Sequence, residues 1–434
     1  VSTLAAALAM LPRVPRARPA DAAIVHLGLG SFHRAHQAVY TARALDVEEG
    51  PWGIVGVAMR SRAVVDAMRA QDGLYSVLSL DRDAAEPLVV GVHTGVLVAA
   101  KQADEVVARI ADARTRIVTI TVTEAGYKPP AIPIALLARA LERRLRDHGE
   151  PLAVVSCDNV RRSGERTRAL VLELVDGAVR EWAASSVAFP ATMVDRIVPA
   201  TADAHRAQAA QLLGVRDAVP VPAEPFSMWV LEDRFPGGRP RWEAAGVIFS
   251  DEVERYEVLK VRLLNATHSL IAYLGLLAGA RFIAEAVAVP EIRDVAVRAM
   301  RDELLPTVEV PSGLDAQEYM RQVVARFENP ATGHRTAQVA SDGSLKLPER
   351  LGGAVRRHLA AGHVPRLLAL AVAGFACCIE MDDVRDPVRG RGRDARSLAA
   401  SLFPDEPSFV DAVVELHGAL ARGGWRAGIE AALS

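Results

Sequence analysis

The sequence predicts an α/β chain in which an N-terminal domain, built on a mainly parallel sheet with helices on both faces, precedes a mainly α-helical C-terminal domain. Three observations carry that reading. Short apolar, β-rich runs alternate with helical patterns up to Pro199, and a glycine turn joins the first strong strand to the first helix. Beyond Pro199 the texture changes, passing through a stretch rich in Pro, Glu and aromatics (219–242) into long helical patterns from about residue 253. The 434 residues suffice for two cores, because single cores stop growing beyond about 250 to 300 residues. The boundary is placed at 250, giving domains 1–250 and 251–434.

The elements follow in order. An apolar run over 24–29 meets Gly28-Leu29-Gly30-Ser31-Phe32-His33-Arg34 and then a helical pattern over 38–45, which is a strand–turn–helix opening. Further strands are expected over 53–59, 74–80, 88–98, 116–122 and 152–156, with helices over 62–70, 103–113 and 134–147. No repeat of solenoid period is present. The tract 386–395 (DPVRGRGRDA) reads as a solvated loop.

Composition removes several classes of function. Fifty-one Lys plus Arg against 53 Asp plus Glu leave a formal charge of -2, so no global basic field favours nucleic acid or an anionic membrane. A small-molecule partner is expected, with the chain a monomer or weak dimer. Cys157, Cys377 and Cys378 form no CxxC or His-rich zinc pattern and fit a reduced, cytosolic compartment. The most apolar stretches, 270–289 and 367–381, are interrupted by Arg281 or fall short of the roughly 18 to 20 residues a bilayer span needs. Residues 4–11 are apolar but followed by Arg13, Arg16 and Arg18, the reverse of a secretory signal, and are expected to lead into the first strand.

One imbalance is informative. Only four basic residues are lysine (Lys101, Lys128, Lys260, Lys346), and the chain has three asparagines (Asn159, Asn265, Asn329). Arginine replaces lysine wherever plain positive charge suffices, but it cannot give up its proton, so a site needing a deprotonatable amine must keep lysine.

Four segments could carry chemistry. In a dinucleotide fold the first βα turn needs glycine so that backbone can approach a pyrophosphate; Gly28 and Gly30 supply it, while His33 occupies the third glycine position of GxGxxG. No acidic residue ends the second strand to hold a ribose. Met59-Arg60-Ser61-Arg62 stands there, leaving NAD and NADP both open. In Lys260-Val-Arg-Leu-Leu-Asn265-Ala-Thr-His268, α-helical spacing places Asn265 about 140° and His268 about 80° around from Lys260. One wide face could then hold a general base with amide and imidazole donors for a developing alkoxide, or merely a snorkelling lysine and a core histidine.

Cys157-Asp158-Asn159 ends an apolar strand, either as an oxyanion donor or as an Asx turn. Asp195-Arg196 either pairs with a lysine or forms a surface ion pair. Finally, Arg326-Phe-Glu-Asn329-Pro330, His334-Arg335-Thr-Ala-Gln338 and Ser341-Asp-Gly-Ser-Leu-Lys346 make a dense polar stretch, read as a loop for an acid or a polyol or as a plain interhelical loop.

Together the segments IVHLGLGSFHRAHQAVY, QDGLYSV, TVTEAGY, SCDN, VDRIVP, EPFSMWVLEDRF, KVRLLNATHSLIAYLG and DGSLKLPER, spanning 24–351, resemble the long-chain polyol-specific dehydrogenases, the mannitol dehydrogenase family. The resemblance implies a Rossmann-like NAD(P)-binding domain, a helical substrate domain, and hydride transfer without metal. Cofactor contacts are implied for Gly28, Gly30, Ser31, Phe32, Arg60, Thr123, Glu124 and Asn159. Lys260 would be the general acid/base, Asn159 and Asn265 the oxyanion hole, His268 the residue that orients substrate, and Asp195 a neighbour of Lys260.

Gln338 stands eight residues before Lys346, where mannitol-type members tend to carry arginine, and the HRTxQ form is similar to the fructuronate-reducing branch. That implies reversible NAD-dependent reduction of D-fructuronate to D-mannonate, with His334, Arg335, Gln338 and Lys346 on the substrate; the alternative is an uncharged polyol or ketose such as mannitol or arabinitol. Ala125 and Ala266 depart from the usual Lys and Gly, and beyond about residue 370 the match is poor.

Overall fold

The structure is a computed structural model that describes residues 18–82, 84–122, 124–127, 131–390 and 394–434. The expected leader over 4–11, Thr123 and Lys128 lie outside the described residues. The chain divides into two compact units, Val1–Glu254 and Arg255–Ser434.

The first unit is organised by a six-stranded, all-parallel sheet. Its strands are β1 (Ile24–Leu27), β2 (Ile54–Ala58), β5 (His93–Val98), β6 (Ile117–Ile120), β7 (Leu152–Ser156) and β8 (Val187–Ala188), in the order β5-β2-β1-β6-β7-β8. Numbered within the sheet this is 3-2-1-4-5-6, the doubly wound dinucleotide-binding order, whose direction reverses between β1 and β6. The strands read as continuous apolar runs because both faces are covered. Ile24, Ile54, Ile117 and Ala153 enter one core, while Val25, Val55, Val118 and Val154 enter the other. Aligned registers such as Val25↔Val55, Val25↔Val118 and Val118↔Val154 keep the two sets apart.

The run expected as one strand over 88–98 is two strands. β4 (Ala85–Val90) pairs antiparallel with β3 (Tyr75–Leu80), which also pairs with β10 (Val221–Ala223), whereas β5 joins the edge of the large sheet. Both strands are largely buried at their junction, so hydropathy is continuous across Gly91-Val92, where the chain changes sheet. The Pro- and aromatic-rich stretch 219–242 also builds sheet: β11 (Met228–Leu231) pairs with β9 (Thr192–Asp195) and with β12 (Ile248–Phe249). There it buries Trp229 against Trp242, ring centroids 4.8 Å apart.

The second unit is helical. Helix Thr267–Leu277 is its axis, with every residue from Thr267 to Gly275 buried. Helices Arg366–Cys378 and Pro407–Leu433 form part of its surroundings, the latter kinked at Gly424. At Gly343, which opens helix Gly343–Ala360, a Cβ would come within 2.5 Å of the Phe375 ring and 2.6 Å of the Tyr273 hydroxyl, so only glycine lets this helix approach. Among the described residues no helix is long and apolar enough to cross a membrane.

Candidate active site

In the first unit the site is prepared at the β1/β6 reversal. Gly28 has φ +110°, and a Cβ there would sit 1.9 Å from the Thr121 carbonyl oxygen, so the turn admits only glycine. Gly30 differs: a Cβ would meet nothing closer than the Gly28 carbonyl at 3.7 Å, leaving an open side on which a phosphate could approach. These residues fit a dinucleotide. Ser31 opens the short helix Ser31–Ala35, and Phe32 stacks on His36 at 4.9 Å.

His33, in place of the third glycine, does not weaken the motif. Its ring stacks on His26 of β1 at 3.3 Å, so ring-to-ring packing replaces the close helix–strand approach that glycine usually permits. His33 Nε2 also bonds His93 Nε2 at 3.1 Å, and His26 bonds Thr119 Oγ1 and the Gly28 carbonyl. Burial holds His26 and His93 down to about 3 and His33 well below its ordinary value, so all three are neutral near pH 7.

Arg60 is exposed just after β2, and Arg62 is engaged with Asp66 at 2.9 Å. Glu124 begins a short 3₁₀ turn, Glu124–Tyr127.

Beyond β7, Asn159 is exposed while Asp158 is buried. Asp158 Oδ2 accepts from the Val122 amide (3.0 Å) and the Tyr127 hydroxyl (2.8 Å), tying the ends of β7 and β6 together. The polar end of this strand is therefore a brace between two loops. Asp195 ends β9 and is 3% exposed. Arg196 makes no ion pair among the described residues. It donates to the carbonyls of Ala35 and Glu224, which excludes the surface ion pair as its role.

In the second unit the lysine motif departs from α-geometry. Helix Val253–Leu259 passes into a π-helical segment, Lys260–Ala266, and returns to α-helix at Thr267. Each π turn closes i→i+5, so the angles expected at 100° per residue do not apply between Lys260 and His268; such segments frequently mark functional sites. Lys260 is buried (7% exposed), as is Glu257 one turn earlier. The Asn265 carboxamide is half-buried and makes no hydrogen bond among the described residues. His268 Nε2 is buried without a partner there.

Burial, followed by the charges of His334, Arg350, Arg326 and Lys346, keeps His268 well below its ordinary value. The main charges acting on it, those of Arg350, Arg326 and Lys346, are therefore basic.

The polar stretch divides. His334 packs on His268, centroids 5.0 Å apart, and Lys346 Nζ donates to the Ser341 carbonyl at 2.7 Å. Arg335 and Gln338 are exposed and line a separate cavity of about 580 Å³, which includes none of Lys260, Asn265 and His268. Asn329 Oδ1 caps the next turn at the Ala331 amide, 3.0 Å away. Arg350 was not singled out by sequence, yet it donates to the Asn265 carbonyl (3.1 Å) and Ser269 Oγ (2.7 Å), bracing the π segment. Glu257 was missed as well; its position three residues before Lys260 was the available signal. Among the described residues no group of His, Cys, Asp and Glu could hold a metal.

Comparison with known proteins agrees with this architecture. Residues 22–244 match the mannitol dehydrogenase Rossmann domain, and 252–388 match the mannitol dehydrogenase C-terminal domain. The chain is 38% identical to D-mannonate oxidoreductase of Escherichia coli (strain K12) over 398 residues, covering 83% of this chain and 82% of the relative. It is 34% identical to mannitol 2-dehydrogenase of Cereibacter sphaeroides over 455 residues, covering 94% and 95%. Among solved structures it resembles Pseudomonas fluorescens mannitol 2-dehydrogenase in ternary complex with NAD and D-mannitol, with TM-score 0.86, 33% identity and coverage of 98% and 97%. The chain belongs to the mannitol dehydrogenase family and is an oxidoreductase.

Proposed function

We propose that this protein reversibly reduces D-fructuronate to D-mannonate with NADH. The observation that carries the choice of an acid is the basic surrounding of His268, on which Arg350, Arg326 and Lys346 act by charge and against which the His334 ring packs at 5.0 Å. A carboxylate suits such a pocket because charged hydrogen bonds to it are about twice as strong as neutral ones. Its anchor is sought at Lys346, Arg350 and Arg326 rather than at Arg335 and Gln338, which line the other cavity. The 38% identity to a D-mannonate oxidoreductase supports the same reading.

NAD, when bound, supplies the two-electron acceptor for hydride from the alcohol carbon. Lys260 takes the hydroxyl proton during oxidation and returns it during reduction, and Asn265 donates to the oxygen as charge develops; Asn159, in the first unit, is a cofactor-side group. Neutral His268 orients the substrate through its uncommitted nitrogen. Asp195, buried at the end of β9, is a further substrate-side group. We place the enzyme in the cytosol, as a monomer or weak dimer, with NADP kept as a second cofactor to test. An uncharged polyol is the second reading, favoured by the likeness to the mannitol 2-dehydrogenase complex.

The deciding experiment follows NADH and NADPH oxidation at 340 nm with D-fructuronate, D-tagaturonate and D-fructose. The proposal expects kcat/KM for fructuronate to exceed that for fructose by about 10- to 100-fold, the worth of one charged hydrogen bond. Lys260→Ala should abolish turnover and keep cofactor binding. Preference for fructose, unchanged in Arg350→Met, would assign a polyol dehydrogenase.

A further inference from the structure

We propose that His26 is a positioning residue for the cofactor: its Nε2–H holds the Gly28 carbonyl inward, away from the pyrophosphate, and so sets the turn on which the dinucleotide lies. His26 Nε2 is 2.9 Å from the Gly28 carbonyl oxygen, and that oxygen also accepts from the Gly30 amide at 2.6 Å. The Gly28 amide is committed too, donating to the Val57 carbonyl at 2.8 Å beside the Leu29 amide at 3.0 Å. Both polar groups of Gly28 are therefore turned into the sheet. A carbonyl oxygen carries the negative end of the peptide dipole, and one facing outward at this turn would repel the phosphates the turn has to receive. Glycine's broad φ/ψ range also permits that opposite orientation, so a bonded partner is needed to select the inward one.

The place of the ring proton follows from the partners. A carbonyl oxygen only accepts, so the His26 proton is on Nε2, and bare Nδ1 accepts from the Thr119 hydroxyl at 2.7 Å. Burial holds His26 down to about 3, so near pH 7 the ring is neutral and has a single N–H to place. His26 and Thr119 face each other in the parallel β1–β6 register, on the two strands where the sheet reverses direction. The His33 ring covers the face of His26, centroids 3.3 Å apart and planes 10° from parallel. The wholly buried His26 ring is thus held at its edges by Thr119 and Gly28 and on its face by His33.

His33 is fixed in turn by its contact with His93 of the edge strand β5 at 3.1 Å. The residue at the third position of the glycine motif therefore supports the one that orients the carbonyl of the first glycine. This role concerns the cofactor alone and holds whichever sugar the enzyme reduces.

The test is fluorescence titration of the full chain with NADH, alongside thermal unfolding without cofactor and nitrogen NMR of the histidine rings. The free protein should show His26 as the Nε2–H tautomer. His26→Phe combined with Thr119→Val removes the donor and the hydroxyl together and keeps a ring against His33, so no side-chain polar group is left without its partner and the fold should survive. NADH should then bind about fivefold more weakly, the worth of one neutral hydrogen bond. KM for NADH should rise in proportion, with a smaller change in kcat. His26→Gln, whose amide nitrogen reaches the place of Nε2, should bind NADH within about twofold of the natural chain. An Nδ1–H tautomer, unchanged NADH affinity in the folded double variant, or a loss in His26→Gln of about fivefold or more would each overturn the proposal. Should the double variant not fold, the tautomer and His26→Gln decide between the outcomes.

Discussion

Lowering the pH from 6.5 to 5.0 should destabilise the first unit sharply, and the buried histidine cluster sets the size of the effect. His26, His33 and His93 are at most 2% exposed, stacked or hydrogen-bonded to one another, with His33 Nδ1 and His93 Nδ1 lacking any partner among the described residues. The folded state holds His26 and His93 at about 3 and His33 well below 6.5, while in the unfolded chain each returns to about 6.5. Above pH 6.5 all three are neutral in both states, and their contribution is complete. As pH falls below 6.5 the unfolded chain binds protons that the folded chain refuses, so stability is lost progressively towards pH 3.

Each such histidine costs about 1.4 kcal/mol per pH unit once its unfolded form is fully protonated, and half that at pH 6.5, hence about 1.6 kcal/mol between pH 6.5 and 5.0 and about 5 kcal/mol for three. That is comparable with the whole stability of many domains, about 5–15 kcal/mol. Arg34 packs over Tyr75 beside the cluster and adds a positive charge that also opposes protonation. The assay is urea unfolding at several pH values, followed by tryptophan emission. Four of the five tryptophans (Trp52, Trp182, Trp229, Trp242) lie in the first unit, so the signal is mainly its own. A slope of about three protons is expected, falling by about one in His93→Gln. A change smaller than about 1 kcal/mol across this interval would refute the reasoning.

Two further predictions concern the site's scaffolding. Gly28→Ala should unfold the turn or abolish NADH binding, because its Cβ meets the Thr121 carbonyl at 1.9 Å; Gly30→Ala should fold normally and lose affinity only, as fluorescence titration alongside thermal unfolding would reveal. Arg350→Met should cost about 1–3 kcal/mol by leaving Ser269 and the Asn265 carbonyl without this donor, and should lower kcat more than cofactor affinity, read from denaturant midpoints and steady-state kinetics.

The fold was largely legible because burial on both faces makes each central strand a solid apolar run, and the glycine turn marks where the first one ends. The same property hid the change of sheet at Gly91-Val92, since hydropathy cannot distinguish one buried strand from two. Lysine and asparagine stood out because the background had removed them: Lys260, Lys346 and Asn265 were visible as survivors. That background also concealed Arg350. An arginine in a chain that uses arginine for almost every cation carries no contrast, and only its hydrogen bonds to the Asn265 carbonyl and Ser269 Oγ distinguish it.

The π segment shows why Lys260, Asn265 and His268 could be proposed from sequence while their arrangement could not. Hydrophobic spacing reports which side chains enter a core, and Leu263, Leu264 and Ala266 do enter it, as an α-helix would also allow. What distinguishes a π turn is a backbone hydrogen bond lengthened by one residue, which leaves no trace in residue type. A helix tolerates such a turn where other groups brace its carbonyls, and Arg350 reaches across 85 residues of sequence to do so at Asn265. The energetic support for the π segment therefore comes from a residue that local sequence could not connect to it. Removing that brace should affect Asn265 and His268 together, which is why Arg350→Met is expected to act on kcat although its guanidinium donates to a backbone carbonyl and a serine.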